Sequence, residues 1–324
     1  MKCINKILAV LLVPALALTI AGCGGEETEL ANRYNVQQTA YQTKHTDSSN
    51  SFFAEELCVG GSENLGTDTT DSQVAAGAGV FHTATGEITY AQNIYDKLYP
   101  ASTTKILTAY LALKEGNLND VITVSENAVD LDSDSSTCGL LAGDKMTLQD
   151  LLYGLIMRSG NDAAIAIAEY LSGDTESFAV KMNEEARMLG ATNSHFVNPH
   201  GLPDEDHYTS VYDLYLLFNA AIKDDTFCDL INTTSYTVNY THADGSEATQ
   251  EWSSTNRYFS GEADAPDNFT VIGGKTGTTG DAGFCLVLLT ENAAGEQIIS
   301  IVLKADGRSN LYLLMNQILS GYGN

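Results

Sequence analysis

The sequence predicts an α+β fold (α/β in looser usage), with an antiparallel sheet drawn from both chain ends and a helical block inserted between them. Three observations carry this. Ala76 to Ala91 has the strand residues and the Thr85-Gly86 turn of a hairpin. From Ser102 to Ile222 the apolar residues recur at helical spacing. Phe284–Leu289 and Gln297–Leu303 are short apolar runs joined through Asn292–Gly295. The chain's 324 residues, 44% hydrophobic and 18% charged, can bury one core of moderate size or two small ones.

In chain order, the first element is an address. Met1 to Lys6 carries two lysines, Ile7 to Ile20 is apolar, and Ile20-Ala21-Gly22-Cys23 closes the run. A basic front, a short apolar stretch and small residues at its end read as a secretory signal over residues 1–22. Cys23, directly after Ala-Gly, resembles the lipidated cysteine of a bacterial lipobox, with an ordinary signal peptide as the alternative. The run is short for a bilayer span. The expected location is therefore the outer or periplasmic face of the cell membrane, with the mature chain lipid-anchored rather than spanning. Residues 23–50 are rich in Gly, Glu, Gln, Thr, Ser and Asn and read as a flexible spacer. Residues 51–324 read as one catalytic domain, without a Pro/Gly-rich break after Ala75.

The body begins with the hairpin, Val80 and Phe81 in its first strand and Ile88-Thr89-Tyr90 in its return. Pro100 precedes a helix starting near Ser102, with Ile106, Leu107, Tyr110, Leu111 and Leu113 on its stripe and Gly116 as its stop. Thr147-Leu148-Gln149-Asp150 opens another, which Gly160 interrupts before a third helix over about Asp162–Leu171. Further helices fall near Ser177–Leu189, Val211–Ile222 and Asn310–Leu319.

Charge and cysteines exclude several functions. The formal net charge is −26, and becomes −28 once Lys2 and Lys6 leave with the signal. Such a surface repels nucleic acid and anionic headgroups, so no nucleic-acid partner is expected. Of six cysteines, Cys3 leaves and Cys23 is the lipid site. Cys58, Cys138, Cys228 and Cys285 are widely spaced and form no C-x-x-C pair. That rules out zinc-ribbon and thioredoxin readings, and leaves disulfides and buried free thiols both open. No metal and no cofactor is expected.

Three short motifs carry chemistry. Ser102-Thr103-Thr104-Lys105 puts a hydroxyl and an amine on one helical face. A serine becomes nucleophilic when a neighbouring base takes its proton, and burial or nearby positive charge can keep a lysine neutral enough to do so. Ser159-Gly160-Asn161 follows at a helix break, where Gly160 permits a tight turn. Ser-x-Asn also begins at Ser48, Ser62, Ser125 and Ser254, so the pattern acquires meaning only from its place between two periodic segments. Lys275-Thr276-Gly277 lies in a glycine-rich strand that another backbone can approach closely. It is no phosphate-binding loop, because the Gly-x-x-x-x-Gly-Lys spacing is absent. Each motif alone also fits an ordinary cap or turn with a solvated lysine.

Taken in order, Ser-x-x-Lys, Ser-x-Asn and Lys-Thr-Gly resemble the penicillin-recognising serine enzymes. Tyr99-Pro100-Ala101-Ser102, Ser159-Gly160-Asn161-Asp162-Ala163, Asn198-Pro199-His200-Gly201-Leu202 and His207-Tyr208 narrow this to the D-alanyl-D-alanine carboxypeptidases among the low-molecular-mass penicillin-binding proteins. The resemblance runs from about Cys58 to the C-terminus and implies a β-lactamase/transpeptidase-like fold. It implies Ser102 as acylated nucleophile, Lys105 as its base and Ser159 as proton shuttle. Asn161, Lys275, Thr276 and Gly277 would bind substrate. The N–H groups of Ser102 and Thr278 would form the oxyanion hole. Arg308 resembles a family arginine near the substrate carboxylate. The substrate would be a peptidoglycan stem peptide ending in D-Ala-D-Ala, with β-lactams as covalent inhibitors.

The match departs from many relatives in stopping at Asn324, where they continue into a small β domain. Thr278-Thr279 also follows Lys-Thr-Gly where relatives vary. Two alternatives share the motifs. A class A β-lactamase needs a Glu-x-x-Leu-Asn loop after the second motif. Glu115-Gly116-Asn117-Leu118-Asn119 precedes it instead. A surface sensor would be acylated by β-lactams without releasing D-alanine. The histidines of the Asn198–Tyr208 segment lack metal-ligand spacing and read as structural.

Overall fold

The computed structural model describes residues 56–324; the expected signal, Cys23 and the spacer lie outside the described residues. Strand β1 is Ala75–His82, β2 Glu87–Gln92, β3 Val121–Thr123 and β4 Lys145–Thr147. Strand β5 is Ser235–Thr241, β6 Glu247–Ser253, β7 Phe269–Thr279, β8 Gly283–Asn292 and β9 Gln297–Ala305. The longer helices are α1 (Lys105–Glu115), α2 (Leu148–Tyr153), α3 (Asn161–Ser172) and α4 (Thr175–Met188), then α5 (Val211–Ala221), α6 (Asp225–Asn232) and α7 (Arg308–Tyr322).

Both chain ends build the main sheet, in the order β2-β1-β9-β8-β7, and every pairing is antiparallel. The register of β1 on β9, from Ala75 opposite Ala305 to His82 opposite Ile298, closes the sheet across the whole length of the body. Its central strands are covered on both faces, which explains why β8 and β9 are continuous apolar runs and not alternating ones. Leu286, Leu288, Ile298 and Val302 face the C-terminal helix α7 with its Leu311, Leu314 and Met315. Val287, Leu289, Ile299 and Ile301 face the helical block. Each such buried aliphatic side chain contributes roughly 1.5–3 kcal/mol. Phe81 of β1 stacks on Tyr215 of α5, ring centroids 4.3 Å apart, and fixes the block to the sheet.

The helices begin where the sequence supplies caps. Thr147 and Asp150 form a reciprocal capping box at α2, and Ser210 accepts from the Asp213 N–H at α5. Helix α1 has no side-chain cap; instead a 3-10 turn, Ala101–Thr104, carries Ser102 into it. After α2 the chain passes through a π-helical turn, Gly154–Arg158, and Ser159 then adopts φ 57°. That left-handed residue and extended Gly160 separate the turn from α3.

A second sheet, β3-β4-β5-β6, was not apparent from the sequence. Strands β3 and β4 have three residues each, too few to show a period. The β5–β6 hairpin is polar on its outer face and apolar inside, where Tyr236 stacks on Tyr153 at 3.8 Å. The cysteine question resolves simply: Cys58, Cys138, Cys228 and Cys285 are free thiols. No described helix is long and apolar enough to cross a membrane.

Candidate active site

The short turn from Ser102 to Lys105 sets the first distance: Lys105 Nζ lies 3.0 Å from Ser102 Oγ. The lysine is fully buried at the start of α1, yet its amine meets two further polar atoms. It donates to Asn161 Oδ1 at 2.7 Å and to the His200 backbone carbonyl at 2.8 Å. Both of these accept only in this setting, and they occupy two N–H groups. A neutral amine with these two N–H groups engaged keeps one lone pair, and the serine hydroxyl 3.0 Å away is the group left to share it. Burial drives the Lys105 pKa well below its ordinary value, and the charge of Lys275 pushes it the same way.

Ser159 and Lys275 come from elements far apart in sequence. The left-handed turn at Ser159 aims its hydroxyl at β7, where Lys275 Nζ donates to it at 2.9 Å and to the Thr276 carbonyl at 2.8 Å. Lys275 is also buried, and desolvation lowers its pKa to about 7. Beside Asn161, the buried Asp162 carboxylate accepts from the backbone N–H groups of Cys138, Leu140 and Ala163 at 2.8–3.2 Å. It ties the loop before α2 to the first turn of α3.

Strand β7 lies flush on the Ser102 turn. A Cβ at Gly277 would stand 3.0–3.1 Å from Ser102 N, Pro100 O and Thr103 N, so glycine is what lets the two backbones meet. Thr276 Oγ1 bonds Thr255 Oγ1 at 2.6 Å on the other side. Beyond them a cavity of about 310 Å³ opens, lined by Ser102, Asn161, His200 and Thr278. Its carboxylates, Asp132 and Asp134, are exposed at the rim.

A family model described as D-alanyl-D-alanine carboxypeptidase matches residues 66–307. The chain belongs to the D-alanyl-D-alanine carboxypeptidase family. It is 35% identical over 212 residues to the carboxypeptidase DacF of Bacillus subtilis, covering 62% of this chain and 50% of that one. A Streptomyces D-alanyl-D-alanine carboxypeptidase is 34% identical over 240 residues, 71% of this chain and 80% of the relative. DacC of Escherichia coli is 36% identical over 232 residues, 68% and 54% of the two chains. The chain thus spans about half the length of the Bacillus and Escherichia proteins. The crystal structure of a Streptomyces DD-transpeptidase superposes with a TM-score of 0.70 at 30% identity, covering 76% of this chain and 96% of that one. A penicillin-binding protein homolog from Mycobacterium tuberculosis gives 0.66 at 26% identity, covering 76% and 89%.

In this member of the carboxypeptidase family, Ser102, Lys105 and Asn161 form one hydrogen-bonded group and Ser159 and Lys275 a second, with Thr276, Gly277 and Thr278 on the adjoining strand. Arg308 stands apart. It opens α7 with its guanidinium 5.4 Å from the Phe284 ring centre, and it does not line the Ser102 cavity. Phe284 pairs with Thr278, so Arg308 flanks the end of the strand. Glu115, the carboxylate of the misplaced Glu-x-x-Leu-Asn match, pairs with Lys181 and does not line the cavity either. The His207 ring bonds Thr104 and the Val197 N–H, a structural role. The His200 carbonyl and the Asp162 carboxylate were missed as site residues. A backbone acceptor has no side-chain signature, and Asp162 stood inside a quoted motif without a role.

Asp162→Asn replaces one of the two acceptor oxygens by a donor facing the Cys138 and Leu140 amides. A loss of about 1–3 kcal/mol is expected. It would be read as a lower denaturation midpoint, with faster hydrogen exchange at the Cys138 and Leu140 amides.

Proposed function

We propose that the chain is a serine-type carboxypeptidase that removes the terminal D-alanine from peptidoglycan stem peptides through an ester on Ser102. The observation that carries this reading is the buried Lys105 amine, held by Asn161 and the His200 carbonyl 3.0 Å from Ser102 Oγ.

Ser102 Oγ attacks the carbonyl carbon of the penultimate D-alanine and passes its proton to Lys105 Nζ. The oxyanion is held by the N–H groups of Ser102 and Thr278, two backbones that Gly277 keeps close together. The bond to the terminal D-alanine breaks, and Ser159 relays a proton to the departing amine. Lys275 and Thr276 hold the substrate's terminal carboxylate, with Arg308 adding positive charge from the strand end. Asn161 has its Oδ1 engaged by Lys105, which leaves its NH₂ for the peptide carbonyl. Water then hydrolyses the ester. A β-lactam enters by the same attack and stays bound, since its leaving group remains attached.

Lipid attachment at Cys23 would place this chemistry on the outer or periplasmic face of the membrane, where peptidoglycan lies. The reading predicts that Cys23→Ser abolishes labelling by a radiolabelled fatty acid and moves the chain from the membrane to the soluble fraction. An unchanged distribution would remove the anchor from the proposal.

The direct test is free D-alanine release from a peptide ending in D-Ala-D-Ala. The parent should release it, and Ser102→Ala should lose about 10³-fold or more in kcat. Covalent labelling by penicillin without D-alanine release would identify a sensor instead. The pH profile has a fixed form. Lys105 acts when neutral, so kcat/KM falls as pH drops through its lowered pKa. Lys275 acts when charged, so kcat/KM also falls as pH rises past about 7. Lys275→Arg, which keeps its charge, should remove the alkaline limb; persistence of that limb would assign it to another group.

A further inference from the structure

His200 contributes more than its backbone. Its ring is about nine-tenths buried and lines the Ser102 cavity. Its own carbonyl accepts from Lys105 of α1, so the residue that carries the ring also holds the catalytic amine. Asn198 fixes that segment, accepting from the Gly201 N–H at 2.7 Å and donating to the Leu202 carbonyl at 3.0 Å. Thr108 of α1 donates to the Pro199 carbonyl at 2.6 Å. Gly201, at φ 92°, presses on the Ala101 carbonyl, where a Cβ would stand 1.8 Å away.

Within this frame the imidazole has one defined tautomer. The Leu202 N–H donates to Nδ1 at 3.2 Å, so the proton sits on Nε2. Nε2–H has no partner among the described residues, and the ring faces the cavity. Burial lowers the His200 pKa to about 3, with Lys105 and His207 adding to the effect, so the ring stays neutral. Such a group is a fixed donor, not a proton acceptor.

We propose that His200 Nε2–H holds the acyl-acceptor water beside Lys105, so that this side chain decides how fast the Ser102 ester is hydrolysed and how well water competes with an amine. The inference rests on the acyl-enzyme reading above. In this step the water oxygen attacks the ester carbonyl carbon, one water proton passes to Lys105 Nζ, and the tetrahedral intermediate collapses. The bond from carbon to Ser102 Oγ breaks, Oγ takes the proton back from Lys105, and the carboxylic acid leaves. His200 keeps its proton throughout. The donor fits because no Glu lines the cavity, leaving Lys105 as base, and because the Asn161 NH₂ is taken by the peptide carbonyl.

The test is a split of rates on the full chain. Acylation and deacylation are measured separately with a fluorescent penicillin for the parent, His200→Leu and His200→Gln, whose folding is compared by thermal denaturation. The expected result is a fall of about tenfold in the ratio of deacylation to acylation for His200→Leu. Partial recovery is expected in His200→Gln, whose amide can donate. With a peptide thioester and added D-alanine as competing acceptor, His200→Leu should form more aminolysis product relative to hydrolysis. Parallel loss in both rates, or an unfolded His200→Leu beside a folded His200→Gln with parental rates, would mean that the ring only supports the loop and would overturn the proposal. An unchanged ratio would overturn it as well. A parent that penicillin does not acylate at all would overturn the acyl-enzyme reading itself, and this inference with it.

Discussion

Keeping one amine dry and uncharged is the requirement on which the site depends. Lys105 is surrounded by core, and its charge would be costly there unless it lost its proton. The chain meets this by burying the amine and placing a second buried lysine nearby, while two acceptors keep its N–H groups paired. Two ammonium groups in one dry region oppose each other, so one tends to yield its proton while the other keeps it. Lys275 has the better claim to the charge, since burial lowers its pKa only to about 7 while burial and the neighbouring charge together hold that of Lys105 well below its ordinary value. The difference between the two lysines thus follows first from burial, with the charge of Lys275 adding to the effect at Lys105.

The chemistry was more legible than its support. That Ser102, Lys105, Ser159, Asn161 and Lys275 lie near one another could be expected from the sequence because each sits in a short motif of distinct spacing. The ends of the main sheet could be read because β8 and β9 are buried on both faces and leave unbroken apolar runs. What escaped lacks such a pattern. Strands β3 and β4 are too short for a period, and β5 alternates Tyr236, Val238 and Tyr240 inward along a segment too polar to attract notice. The glycine-rich third motif, read as a strand, is the end of β7. Asp162 and the His200 carbonyl act on backbone groups, and sequence records which residue is present but not which amide it faces.

Backbone proximity is the second theme of the site. Gly277 against the Ser102 turn and Gly201 against Ala101 are contacts where any side chain would force two backbones apart. The Ala101 φ of 48° and the Ser159 φ of 57° belong to the same crowding. Left-handed conformations in non-glycine residues cost of order 1–3 kcal/mol each and persist where the surroundings leave no alternative. Here those surroundings are the sheet edge on one side and the helical block on the other.

The register of β1 on β9 has a consequence for when the protein becomes reactive. Ala75 meets Ala305 only once nearly the whole chain is available, because a pairing so distant in sequence must wait for its second strand. Until β7 docks, Lys105 is solvated and remains an ordinary ammonium, and Ser102 is an unactivated alcohol. The Ser102–Lys105 pair and the fold therefore arrive in the same cooperative event, and the unfinished chain lacks that buried pair.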